Sequence, residues 1–220
     1  MSLKSALRTS VTALLPDRWG DRLLTAKQAL WWRTVDRDWH RKHFAQDHSK
    51  ELLGAVLSRI RQAAGSGPLA ILEFGCNAGN NLHTLRRDPA NADISYCGVD
   101  INPKAIAFAK SQFPSDSFHI GDHRWFIRNA DNLGSFHLFV ASHVLYYIDE
   151  AHTRLVLESA RRVADYVLVA DRMQRFSDAS GVRADLFTHP YAAICKDIGL
   201  DVLEMVPGDG YGHFLARTAQ

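Results

Sequence analysis

The sequence predicts an α/β protein: a doubly wound, mostly parallel sheet with helices on both faces, preceded by an N-terminal helical extension. Three observations carry that reading. Short apolar runs alternate with helix-length segments from residue 69 to residue 198, the pattern of right-handed crossovers in a parallel sheet. The run Ile71-Leu72-Glu73-Phe74 enters a turn of small residues, Gly75-Cys76-Asn77-Ala78-Gly79, that opens a helix, and such a turn brings bare backbone against a ligand. Farther on, Tyr96-Cys97-Gly98-Val99-Asp100 is a second apolar strand that ends on a carboxylate, a position suited to accepting hydrogen bonds from ribose hydroxyls.

The extension takes residues 1–66 and the main domain residues 67–220. From Asp21 to Phe44 apolar residues fall at helical spacing, with Trp31, Val35 and Trp39 four apart and Leu24 and Gln28 on the same face, which predicts an amphipathic helix. Ser49 is an N-cap for a second helix that buries Leu52, Leu53, Val56, Leu57 and Ile60. Gly65-Ser66-Gly67-Pro68 breaks the pattern. Strands are then predicted over 69–74, 95–100, 118–121, 136–141 and 166–171, and helices over 79–87, 103–112, 150–163 and 184–198. Asp201 to Val206 and Gly212 to Arg217, separated by Pro207-Gly208-Asp209-Gly210, read as a closing hairpin.

Composition narrows the class. With 220 residues, 46% hydrophobic and 23% charged, the chain is ordinary for a globular protein with one buried core. No apolar run approaches the ~20 residues that span a bilayer, and Met1 to Pro16 lacks the layout of a secretory signal. Cys76, Cys97 and Cys195 are widely spaced and odd in number, so neither a disulfide framework nor a thiolate zinc site is expected, and a reducing cytoplasm is. His40, His43 and His48 share no ligand-spaced carboxylate, and no metal is expected. Residues 1–66 carry twelve Lys and Arg against six Asp and Glu. Acids interrupt that excess, and a solvated helix face explains it better than a nucleic-acid surface.

Spacing decides which nucleoside the turn suits. A dinucleotide fingerprint needs glycine at the first, third and sixth positions, which here are Gly75, Asn77 and Asn80. Neither departure suits NAD, and no Gly-Lys-Ser/Thr follows to make a phosphate loop.

What remains, Glu73-x-Gly75-x-Asn77-x-Gly79, resembles motif I of the class I S-adenosylmethionine-dependent methyltransferases, whose usual form is Asp/Glu-x-Gly-x-Gly-x-Gly. Asn77 stands where the family most often has glycine, and Asn is the next most tolerant residue in a left-handed turn. Gly98-Val99-Asp100-Ile101-Asn102-Pro103 is similar to the family's second motif, Phe118-His119-Ile120-Gly121-Asp122 to its third, and Phe136 to Ile148 to its fourth strand and following turn. These motifs stand in the family's order over residues 69 to 148.

The resemblance implies a Rossmann-like sheet of strand order 3-2-1-4-5-7-6 with strand 7 antiparallel, and S-adenosylmethionine as methyl donor with S-adenosylhomocysteine as product. It implies that Gly75, Cys76, Asn77 and Gly79 form the turn beneath the aminoacyl and ribose groups and that Glu73 orients it. Asp100 would hold the ribose diol, Ile101 would lie on the adenine face, and Asp122 would reach the adenine amino group. Ser142 and His143 would lie where donor and acceptor meet. His143 reads either as a general base, since imidazole titrates near neutral pH, or as a lining residue.

Trp31, Trp39 and Tyr146 are candidate substrate contacts: the extension resembles in position the lids that small-molecule members of the family place over the site, the two tryptophans alternatively seating it on the sheet's edge. The family's Asn/Asp-Pro-Pro-Tyr signature is absent, which disfavours methylation of bases. A small metabolite, sugar or lipid-like molecule is the expected acceptor, at O or N, with Met173, Phe176, Phe187, His189 and Tyr191 as candidates for its cavity. A non-catalytic binding module of the same fold and an RNA methyltransferase docking through the basic extension are the rivals.

Overall fold

The computed structural model describes residues 17–36, 44, 50–65, 67–173, 186–208 and 210–218. Strands β1 (Ala70–Phe74), β2 (Ser95–Asp100), β3 (Ser117–Ile120), β4 (Phe136–Ser142) and β5 (Ala164–Arg172) run parallel, and β6 (Leu200–Val206) and β7 (Tyr211–Thr218) close the chain as a hairpin. The sheet order is β3-β2-β1-β4-β5-β7-β6 with β7 antiparallel to both neighbours, as the resemblance implied.

The central strands are apolar because both faces are covered. Successive side chains point to opposite faces, so Ile71 packs in one layer and Leu72 in the other. Helices α2 (Lys50–Ala64), α3 (Asn80–Arg86) and α4 (Pro103–Gln112) cover the first face through Leu53, Leu57, Ile60, Leu82 and Ile106. Helices α5 (His123–Asn129), α6 (Glu150–Val163) and α7 (Tyr191–Asp197) cover the second through Phe126, Val156, Leu157 and Ile194. With parallel strands on both sides of β1, the carboxyl ends of β1, β2 and β4 open side by side, and the crevice there becomes the site.

Three elements differ from expectation. Helix α1 spans Asp17–Thr34 and stops short of Phe44, and Trp39 and Ser49 lie outside the described residues. The stop has a cause: the Asn102 amide donates to Trp32 O at 2.7 Å and to Val35 O at 3.1 Å, satisfying carbonyls that a helix end leaves open. The buried stripe of α1 also runs through polar Thr25 and Gln28, which turns Trp31 outward to 49% exposure.

Helix α5 was not expected, although Asp122 marks its start by accepting from Trp125 N at 2.8 Å. Helix α7 begins at Tyr191 instead of near 184, because a residue before proline resists helical ψ and His189 precedes Pro190.

Candidate functional site

A cavity of about 530 Å³ lies at the carboxyl ends of β1, β2 and β4. Its floor is the turn after β1, where Gly75, Asn77 and Gly79 all take left-handed backbone with φ of 81°, 51° and 82°. A Cβ on Gly75 would fall 2.6 Å from Val144 Cγ2, so the position admits only glycine on two counts. The turn is pinned from the neighbouring strand: Gly75 N and Cys76 N donate to Val99 O at 2.8 and 3.1 Å, and Asn77 N donates to Asp100 Oδ2 at 2.9 Å. Asp100 Oδ1 accepts from Asn102 N at 2.8 Å. Burial pushes the Asp100 carboxyl up, while the backbone N–H groups of Asn102, Asn77 and Ile101 favour its ionised form.

Glu73 lies beneath this turn, 3% exposed. Asn81 Nδ2 donates to its Oε1 at 2.8 Å and the Tyr96 hydroxyl donates to its Oε2. Burial pushes the Glu73 carboxyl up to about 7 against those two hydrogen bonds. Burial also holds the Cys76 thiol well above its ordinary value, so this cavity-lining sulfur stays protonated and is no nucleophile.

At the end of β4, Ser142 and His143 line the cavity. His143 takes a left-handed backbone, φ 54°, and its backbone N–H donates to Ala170 O of β5 at 2.8 Å. Its ring centroid is 5.2 Å from that of Tyr211 and 6.3 Å from that of Tyr146. The 3₁₀ turn Leu145–Tyr147 follows. Asp171, fully buried at the end of β5, accepts from Tyr146 N and from the Tyr191 hydroxyl, each at 3.1 Å. Burial raises its carboxyl to about 7. Burial, then Tyr147, pushes the Tyr146 phenol up, so it stays neutral and serves as a wall.

Helix α1 forms the roof through Thr25, Gln28, Ala29 and Trp32. Thr25 Oγ1 donates to Asp149 Oδ2 at 3.2 Å and accepts from Asp149 N at 3.0 Å, which ties the roof to the start of α6.

Of the residues singled out in the sequence, Glu73, Gly75, Cys76, Asn77, Asp100, Ile101, Asp122, Ser142, His143 and Tyr146 all line this one cavity. Gly79 does not; it stands at the N-terminus of α3. Trp31 does not either, because it faces outward, and the neighbouring Trp32 takes the place expected of it. Phe176 lies outside the described residues, and Met173, Phe187, His189 and Tyr191 are not among the lining residues. His189 and Tyr191 instead bond to Leu145 O and Asp171, beneath the wall.

Sequence reasoning missed Thr25, Asp171 and Tyr211, and set Gln28 on the packing face of the extension without connecting it to the cavity. Asp171 carried a usable signal: like Asp100, it ends an apolar strand. Among the described residues no group of three or more His, Cys, Asp or Glu is placed to hold a metal ion, and no helix is long and apolar enough to cross a membrane.

Residues 72–165 match a family model described as a methyltransferase domain. No curated protein matches the chain at the sequence level. Among solved structures, magnesium protoporphyrin IX methyltransferase from Synechocystis PCC 6803, with bound S-adenosylmethionine, aligns at TM-score 0.62 and 12% identity over 89% of this chain and 97% of that one. An S-adenosylmethionine-dependent methyltransferase from Aquifex aeolicus aligns at TM-score 0.57 and 16% identity over 84% of this chain and 100% of its own. A TehB-like methyltransferase from Corynebacterium glutamicum aligns at 0.55 and 18% over 73% and 86%. Residues 72–165 are thus similar to a methyltransferase domain, and the fold of the chain is that of the class I S-adenosylmethionine-dependent methyltransferases.

Proposed function

We propose that this protein moves the methyl group of S-adenosylmethionine to an oxygen or nitrogen of a small-molecule acceptor and releases S-adenosylhomocysteine. The carrying observation is one cavity that joins the left-handed turn Gly75–Gly79, pinned to the Asp100 carboxylate, to the imidazole of His143. In support, the Synechocystis enzyme also has a structure with S-adenosylhomocysteine, as does the N-terminal domain of EvdMO1. At 12% identity the likeness to the Synechocystis enzyme is one of fold and does not bring its porphyrin acceptor to this chain.

A sulfonium supplies an activated methyl and a leaving group that departs neutral, so the residues mainly position and exclude water; positioning is worth ~7–11 kcal/mol of such a barrier. Asp100 holds the ribose diol, Ile101 lies on the adenine face and Asp122 reaches its amino group. Glu73 orients the turn. His143 takes the acceptor's proton. Helix α1 acts as the lid, with Trp32 and Gln28 closing the cavity from above. The three free, buried cysteines suit a reducing cytoplasm.

Asp100→Ala tests the reading by calorimetry with S-adenosylmethionine. Loss of charge-assisted hydrogen bonds should weaken binding by about 1.5–3 kcal/mol, ten- to hundredfold in Kd. Unchanged affinity would remove Asp100 from the site.

A further inference from the structure

Resting on the methyl-transfer reading, we propose that the acceptor is a compact alkylamine, held as its ammonium ion by a cage of aromatic rings made by Trp32, Tyr147, Tyr146 and Tyr211, with His143 at its edge. The rings form one continuous chain. Trp32 and Tyr147 lie 5.1 Å apart at 64°, Tyr147 and Tyr146 4.4 Å at 56°, Tyr146 and Tyr211 5.9 Å at 68°, and Tyr211 and His143 5.2 Å at 56°. All five line the cavity.

They come from α1, from the turn after β4 and from β7, so no single helical or strand period puts them together. Each ring is inclined to the next. Such a wall turns its rings in several directions toward a compact group and offers no parallel pair of neighbouring rings between which a flat fused ring system would slide.

Charge points the same way. None of the described residues that line the cavity is Lys or Arg, whereas Glu73, Asp100 and Asp122 are carboxylic acids. Among these described residues a carboxylate or phosphate acceptor would meet no Lys or Arg, and an ammonium ion would meet aromatic rings, whose π faces attract cations best when water is excluded.

The reaction keeps the charge in the cage. The ammonium gives one proton to the His143 imidazole. The freed nitrogen lone pair then bonds to the methyl carbon as the carbon–sulfur bond breaks, and that bond's electron pair stays on sulfur. One positive charge leaves sulfur and arrives on nitrogen. The rings therefore face a cation when the acceptor enters and again when the methylated amine forms, whereas a hydroxyl acceptor would end neutral and gain nothing from them.

The test is a binding measurement on the full chain loaded with S-adenosylhomocysteine. The 2-hydroxyethyltrimethylammonium ion is titrated by calorimetry against 3,3-dimethylbutan-1-ol, which has the same shape without the charge. The cation should bind at least about tenfold more tightly. Tyr147→Leu and Tyr211→Leu should each reduce that preference about fivefold or more, and Tyr147→Phe and Tyr211→Phe should retain it. Affinity for S-adenosylhomocysteine within twofold of the parent certifies that each variant is folded.

Equal or tighter binding of the alcohol overturns the proposal, as does a preference that survives both leucine variants or methylation of phenols or carboxylic acids in place of amines. Failure of the parent chain to bind S-adenosylhomocysteine overturns the methyl-transfer reading itself. Binding of that compound without a preference for the cation overturns only the cage.

Discussion

Glu73 holds a carboxyl at about 7 where the ordinary value is 4.5, chiefly through burial. Its folded-state pKa is raised, so the stability it contributes is present below about 4.5 and is lost as pH rises through about 7, on the order of 3 kcal/mol. Glu73→Gln keeps the shape, and the Tyr96 hydroxyl can still donate to its amide oxygen. The variant should therefore be more stable than the parent at pH 8, by up to about 3 kcal/mol, with the gap narrowing at pH 5. Urea unfolding at the two pH values measures it, and an equal gap at both would show that the acid does not titrate as argued. Asp171 has the same sign but is present in both proteins, so the difference isolates Glu73.

At this scale the sequence was legible where a residue type has one physical use. Gly75 must be left-handed and close-packed, and Asp100 ends a strand with its carboxylate toward the turn. Trp31 was misread because counting apolar residues favoured it, while the stripe of α1 that is buried passes through Thr25, whose hydroxyl needs Asp149.

Among the elements, Asn102 does two tasks. Its Oδ1 caps α4 by accepting from Lys104 N and Ala105 N at 2.8 and 3.1 Å, and its amide ends α1 by donating to Trp32 O and Val35 O. Asn102→Ser separates the tasks, since serine keeps the N-cap acceptor and loses the amide donor. Amides of α1 should exchange about tenfold faster in the variant, as expected for two neutral hydrogen bonds, with those of α4 protected as before. Equal loosening of both helices, or of neither, would contradict the clamp.

The clamp was invisible in the sequence because donor and acceptors lie 67 and 70 residues apart. Helix α5 was legible in principle: a crossover between parallel strands needs a helix-sized connection, and Asp122 marks where it starts. Its seven residues, His123–Asn129, are too few to show a period.

For the whole molecule, the topology was the most legible feature. Alternating strand and helix lengths indicate the parallel part and the glycine-rich Pro207–Gly210 segment the closing hairpin, while the strand order follows only from the resemblance to the methyltransferases. Two helical layers then leave the carboxyl ends of β1, β2 and β4 uncovered, and helix α1 arrives from outside the sheet to roof them. The roof was the least legible, because long-range polar contacts seat it.

Methyl transfer here requires the adenosyl group to lie over the Gly75–Gly79 turn with its ribose on Asp100. A crystal structure of the chain with S-adenosylhomocysteine tests this most directly. Both ribose hydroxyls should lie within ~3 Å of the Asp100 carboxylate, with adenine against Ile101 and the sulfur facing His143. S-adenosylhomocysteine bound elsewhere, or an empty cavity at saturating concentration, would contradict it.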